Sequence, residues 1–122
     1  MFTKNTEKLE SFIGQNSHFK GDIETKGTLR VDGTLDGNVK ADWVILGEKA
    51  QLKGDITARG VIVGGKIEGN VKAKELVEIK SKGVVNGDID AGKLSIAEGA
   101  VFNGKASMQA GEPRTVNLQV KG

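Results

Sequence analysis

With 122 residues the chain is long enough for one domain, yet only 37% of it is hydrophobic and it holds one Trp, no Tyr and four Phe. That is too few large side chains for a compact globular core of this size. The absence of Cys excludes disulfides and thiolate metal sites. A net charge of +2, from 18 basic and 16 acidic residues mixed along the chain, lacks the clustered basic footprint of a nucleic-acid-binding protein.

Residues 1–11 are polar apart from Met1, Phe2 and Leu9 and read as a flexible N-terminal tail. No signal-peptide apolar core follows Met1, and no run of 18 apolar residues occurs anywhere. A repeat then begins. Gly21-Asp22-Ile23, Gly37-Asn38-Val39, Gly54-Asp55-Ile56, Gly69-Asn70-Val71, Gly87-Asp88-Ile89 and the weaker Gly104-Lys105-Ala106 follow one another at spacings of 16, 17, 15, 18 and 17 residues. A helical-hairpin repeat needs roughly 30 residues or more. A mean of about 17 fits one coil of a β-solenoid.

The coils can be read in chain order. The first, from near Phe12 and Ile13, carries Phe19 and Ile23. The second carries Leu29, Val31, Leu35, Val39 and Ala41; the third, Val44, Leu46, Leu52, Ile56 and Ala58. The fourth carries Val61, Val63, Ile67, Val71 and Ala73; the fifth, Val77, Ile79, Val85, Ile89 and Ala91; the sixth, Leu94, Ile96, Phe102, Ala106 and Met108. Spacing by two within each group puts these side chains on one face of a short strand. Three strands per coil predict an all-β, single-domain parallel β-helix of about six coils over residues 12–110, roughly triangular in section. The recurrent Ala marks a tight corner. The repeat glycines, and a second column of Gly33, Gly47, Gly65, Gly83 and Gly99, read as turns that need φ > 0. Outward columns alternate as stacked coils require: Lys20, Asp36, Lys53 and Glu68 before the glycines, and Asp22, Asn38, Asp55, Asn70 and Asp88 after them. Residues 111–122 open on Gly111-Glu112-Pro113, a stop signal, and then alternate through Val116, Leu118 and Val120, so they form a C-terminal tail, a short strand or a docked cap.

Catalytic chemistry finds no footing. His18 is the only His, no nucleophile motif accompanies it, and no phosphate loop or dinucleotide fingerprint is present. Asp22, Asp55 and Asp88 stand two coils apart, two of them beside Lys20 and Lys53, which speaks against a calcium site. Neither enzyme activity, cofactor, metal, nucleotide nor nucleic acid is expected. The Phe residues avoid the middle coils, with Phe12 and Phe19 in the first and Phe102 in the last. A bulky ring there reads either as a plug or as an end-to-end contact. An uncapped terminal coil is adhesive, so the expectation is a polymerisation interface of Phe102, Leu94, Ile96 and Met108 at one end and Phe19 and Ile13 at the other.

The tandem Gly-[Asp/Asn]-[Ile/Val]-x-Ala repeats, the short polar tails and the start Met1-Phe2-Thr3-Lys4 resemble the bactofilin family over nearly the whole chain. The resemblance implies a right-handed parallel β-helix in a bacterial cytoskeletal protein. Such proteins polymerise end to end without nucleotide into filaments lacking polarity. It further implies a peripheral location at the inner face of the cytoplasmic membrane, with Met1, Phe2 and Lys4 as the membrane-contacting tail. Partners would then be the chain itself, the membrane surface, and the cell-wall or morphogenesis proteins scaffolded there. The alternatives are a non-polymerising adaptor on the same core and, more remotely, a hexapeptide-repeat acyltransferase. The latter requires a regular six-residue period that coils of 15 to 18 residues do not have.

Overall fold

A computed structural model describes residues 9–108 and 114–119, and every regular element among them is a β-strand. The first coil is made of β1 (Leu9–Ile13), β2 (His18–Lys20) and β3 (Ile23–Glu24), and the second of β4 (Thr28–Val31), β5 (Thr34–Asp36) and β6 (Val39–Lys40). β7 (Trp43–Leu46) and β8 (Gln51–Lys53) lead into β9 (Ile56–Val63), which rounds a corner from the third coil into the fourth. β10 (Lys66–Glu68) and β11 (Val71–Ile79) repeat that arrangement. β12 (Val84–Asn86), β13 (Ile89–Ala91), β14 (Leu94–Ile96) and β15 (Val101–Met108) complete six coils, and β16 (Arg114–Gln119) follows.

The coils stack as three parallel ladders. The first face is β1, β4, β7, the second half of β9, the second half of β11, and β14. The second face is β2, β5, β8, β10, β12 and the start of β15. The third is β3, β6, the first halves of β9 and β11, β13 and the end of β15. The register is the one the columns dictate: Phe19 lies beside Leu35, Leu35 beside Leu52, Leu52 beside Ile67, Ile67 beside Val85 and Val85 beside Phe102. Within each strand alternate side chains point into the tube, and these form one continuous core of Leu, Ile, Val and Ala closed by Phe102. At about 4.8 Å per coil the rod is roughly 30 Å long.

The repeat glycines are fixed twice over. All six have positive φ, from 131° at Gly21 to 153° at Gly37. From Gly37 onward, a Cβ would strike the carbonyl oxygen of the repeat glycine in the coil below. The second glycine column has a different cause from the one expected. Of its five members only Gly99 has positive φ. Gly33, Gly65 and Gly83 are glycine because a backbone carbonyl of the preceding coil stands where a Cβ would lie, and Gly47 because the Asp32 carboxylate does.

β1 starts at Leu9, inside the segment assigned to the N-terminal tail, and brings Ser11 beside Leu29 and Ile13 beside Val31. Of the C-terminal alternatives, a strand is what forms: β16 runs antiparallel to β15, from Asn103 beside Gln119 to Met108 beside Arg114.

Candidate self-assembly surfaces

A solenoid's functional surfaces are its two ends and its sides. At the first coil, β1, β2 and β3 each have a neighbouring strand on one side only among the described residues. Unpaired N–H and C=O groups of this kind are a template for further pairing. Phe12 is 58% exposed and Phe19 39%, the two large apolar side chains left open to solvent among the described residues. Ile13, expected in this interface, is buried in the core beneath them, and Ile23 packs partly against that core.

The last coil differs from expectation in one respect that matters. Phe102 is 0% exposed and is the largest fully buried side chain, so its ring is part of the core rather than of the subunit's free surface. Leu94 and Ile96 are half-buried on β14, which pairs with β11 and has no second neighbour among the described strands. Met108 is half-buried at the end of β15, where β16 occupies the strand edge from Asn103 onward. Among the described residues the last coil is therefore covered along its third face and open along its first. Met1, Phe2 and Lys4 lie outside the described residues.

The corner between the second and third faces carries a device that the sequence columns hinted at without disclosing. From Asn38 onward, the residue after each repeat glycine donates its N–H to the side chain below it, not to a backbone carbonyl. Asn38 N–H donates to Asp22 Oδ1 at 2.9 Å, Asp55 to Asn38 Oδ1, Asn70 to Asp55 Oδ1 and Asp88 to Asn70 Oδ1 at 3.0 Å, and Lys105 to Asp88 Oδ1 at 3.2 Å. Asp and Asn both supply the acceptor, so their alternation keeps like charges apart at no loss of hydrogen bonding. Lys105 has no acceptor, and the ladder stops there.

The sides offer little reactive chemistry. His18 lies exposed on the first coil beside Thr34. Among the described residues no group of three His, Cys, Asp or Glu is arranged to hold a metal ion. Two concavities, about 470 Å³ along Asp22, Asn38 and Asp55 and about 440 Å³ along Asn70, Asp88 and Lys105, are troughs over the side-chain ladder, whose Oδ1 atoms already accept backbone N–H groups. In the outward charge column Lys20, Asp36, Lys53 and Glu68 are in register as expected, and Glu68 closes on Lys66 of its own strand at 3.1 Å.

These features define a class: a parallel β-solenoid whose terminal coils, among the described residues, keep open strand edges. Comparison with known proteins narrows it. The family model described as "Bactofilin: Polymer-forming cytoskeletal" matches residues 11–107. The chain is 30% identical over 110 residues to bactofilin BacO of Myxococcus xanthus (strain DK1622), covering 89% of this chain and 87% of that one. It is 29% identical over 102 residues to BacP of the same organism, covering 83% of this chain but 42% of BacP. A cryo-EM reconstruction of Thermus thermophilus bactofilin double helical filaments has the same fold, with a TM-score of 0.74 at 24% identity over 82% of this chain and 100% of that one. The chain belongs to the bactofilin family of polymer-forming cytoskeletal proteins.

Proposed function

We propose that this chain assembles end to end, without nucleotide, into non-polar filaments that lie on the inner face of the cytoplasmic membrane and scaffold cell-wall or morphogenesis proteins. The observation that carries the reading is the open edge that the described residues leave at both ends: β1 and β2 with Phe12 and Phe19 at one, and β14 with Leu94 and Ile96 at the other. The Thermus thermophilus relative is seen as filaments.

Two features support joints between like ends over a polar head-to-tail stack. To continue the solenoid, the first coil of one subunit would have to pair with the last coil of the next along all three faces, and β16 already occupies the third. The side-chain ladder would also have to pass from Lys105 to the N–H of Asp22, and lysine cannot accept it. The same β16 is the specific observation that favours the rival reading, a non-polymerising adaptor.

Pelleting by ultracentrifugation without nucleotide tests the reading. Wild-type protein is expected in the pellet, and folded Phe19→Arg and Ile96→Arg variants in the supernatant. Wild-type protein that stays monomeric at high concentration would establish the adaptor instead. Phe102→Arg is an unsuitable probe, because it places a guanidinium in the core.

For the membrane, a single Phe2 in lipid contributes roughly 1.5–3 kcal/mol, and Lys4 near an anionic surface adds about 1 kcal/mol. One tail is a weak anchor, and a filament bearing many tails is a strong one. In vesicle flotation, removal of residues 1–8 is expected to abolish binding, and Phe19→Arg to weaken it. Equal binding of the non-polymerising variant would contradict the coupling.

A further inference from the structure

The three faces are not alike. The second and third turn mainly charged and polar side chains outward: Lys20, Asp36, Lys53 and Glu68 on one, and Glu24, Lys40, Thr57 and Lys72 on the other. On the first face the strands of the third and fourth coils are apolar on both sides. Between the buried Val44, Leu46, Val61 and Val63, the outward positions are Trp43, Ile45 and Ile62, followed by Leu76 in the fifth coil, with Phe12 at the first. The Trp43 ring lies over Gly60, where a Cβ would strike it, and the strip is correspondingly flat. The cations beside it are already held. Arg30 Nε is 3.0 Å from Asp32 Oδ2, and Arg59 is 3.0 Å from Asp42 and 3.7 Å from Glu75. The hydrogen bond from Arg30 to Asp32 raises the Arg30 pKa above its ordinary value, opposed by burial and helped by the charge of that carboxylate.

We infer that this first face is the lateral contact through which two filaments pair, packing against the same face of a second copy in antiparallel orientation. The inference rests on the filament reading above. One outward column runs Phe12, Arg30, Ile45, Ile62, Glu78 through the first five coils. A two-fold axis along the strand direction, passing between the third and fourth coils, sets Ile45 against Ile62 of the second copy and Arg30 against its Glu78. Sign and shape thus match only when the copies run in opposite directions. Arg30 uses Nε and Nη2 on Asp32 and keeps further N–H donors for the incoming carboxylate. A shallow groove of about 420 Å³, lined by Thr28, Trp43, Ile45 and Arg59, faces the Ile62 and Leu76 side chains of that copy.

The size of the strip says when pairing occurs. Five coils at about 4.8 Å by one short strand give on the order of 300 Å², well under the roughly 800 Å² per partner of a stable interface. Single subunits do not dimerise through it. Filaments, which repeat the strip at every subunit, do. The strip is also a poor membrane face, because its two arginines are already shared with three carboxylates and Glu78 adds another.

Electron microscopy of the full chain tests this with Ile62→Lys, Arg30→Glu, Glu78→Arg and the double charge swap. Wild-type filaments are expected to pair. Ile62→Lys and each single swap are expected to give filaments of normal length, with the paired fraction lowered about tenfold or more. The double swap restores pairing. Filaments that pair alike in every variant would overturn the surface assignment and leave filament formation standing. Loss of all filaments in Ile62→Lys at unchanged melting temperature would move the strip to the end-to-end joint and overturn it too. Variants that pair normally but no longer float with phosphatidylcholine–phosphatidylglycerol vesicles would reassign the strip to the membrane. A wild type without filaments would overturn the filament reading and this inference together.

Discussion

At the scale of single residues, the repeat motif is two backbone requirements written in three positions. The glycine is needed because its φ is positive and because the carbonyl of the coil below stands against its Cα. Gly54→Ala therefore combines a left-handed backbone with a clash, and is expected to destabilise the fold by about 2 kcal/mol or more. Urea unfolding measures it, and a loss below about 0.5 kcal/mol, the range of neutral surface changes, would contradict the account. The Asp or Asn is needed as an acceptor for the N–H above. Asn38→Leu leaves the Asp55 N–H to solvent and is expected to lower stability by about 0.5–1.5 kcal/mol, while Asn38→Asp, which keeps the oxygen, loses less. The inward positions were legible from the sequence because spacing by two and a period near 17 leave one way to stack them. The acceptor role was not, because Asp and Asn after Gly look the same whether they make a turn, balance charge or bind the backbone of another coil.

At the scale of elements, the ends are where sequence reading fell short. β1 was missed in part because it does not follow the pattern: Ser11 takes the column that Leu29 and Val44 fill in later coils, and the large Phe12 points outward. Phe102 looked like an adhesive ring because it ends a column, and nothing local to it discloses its complete burial. Phe102→Ala is expected to lower stability by about 3–5 kcal/mol, whereas Phe19→Ala, with its ring 39% exposed, is expected to affect assembly more than melting. A comparison of the two melting curves would expose an error if the order were reversed. β16 sets how much of the last coil is open. Removing residues 109–122 bares the edge of β15 from Asn103 to Met108 and is expected to increase light scattering through uncontrolled pairing. Unchanged scattering would mean that the edge is inert without its cover.

At the scale of the whole molecule, a tube of six coils has a core too thin for large side chains, so Leu, Ile, Val and Ala suffice and the composition that excludes a globule is the one the fold requires. The three-sided architecture was legible because the columns fall into three groups per coil. The difference between its sides was not read, although the unbroken apolar runs Trp43-Val44-Ile45-Leu46 and Val61-Ile62-Val63 announce strands apolar on both surfaces. The central claim is that such tubes join end to end with no energy source but contact. Negative-stain electron microscopy of the purified full-length chain without nucleotide, beside Phe19→Arg, tests it most directly. Filaments are expected in wild type and separate short rods in the folded variant. Monodisperse rods roughly 30 Å long in both would contradict it.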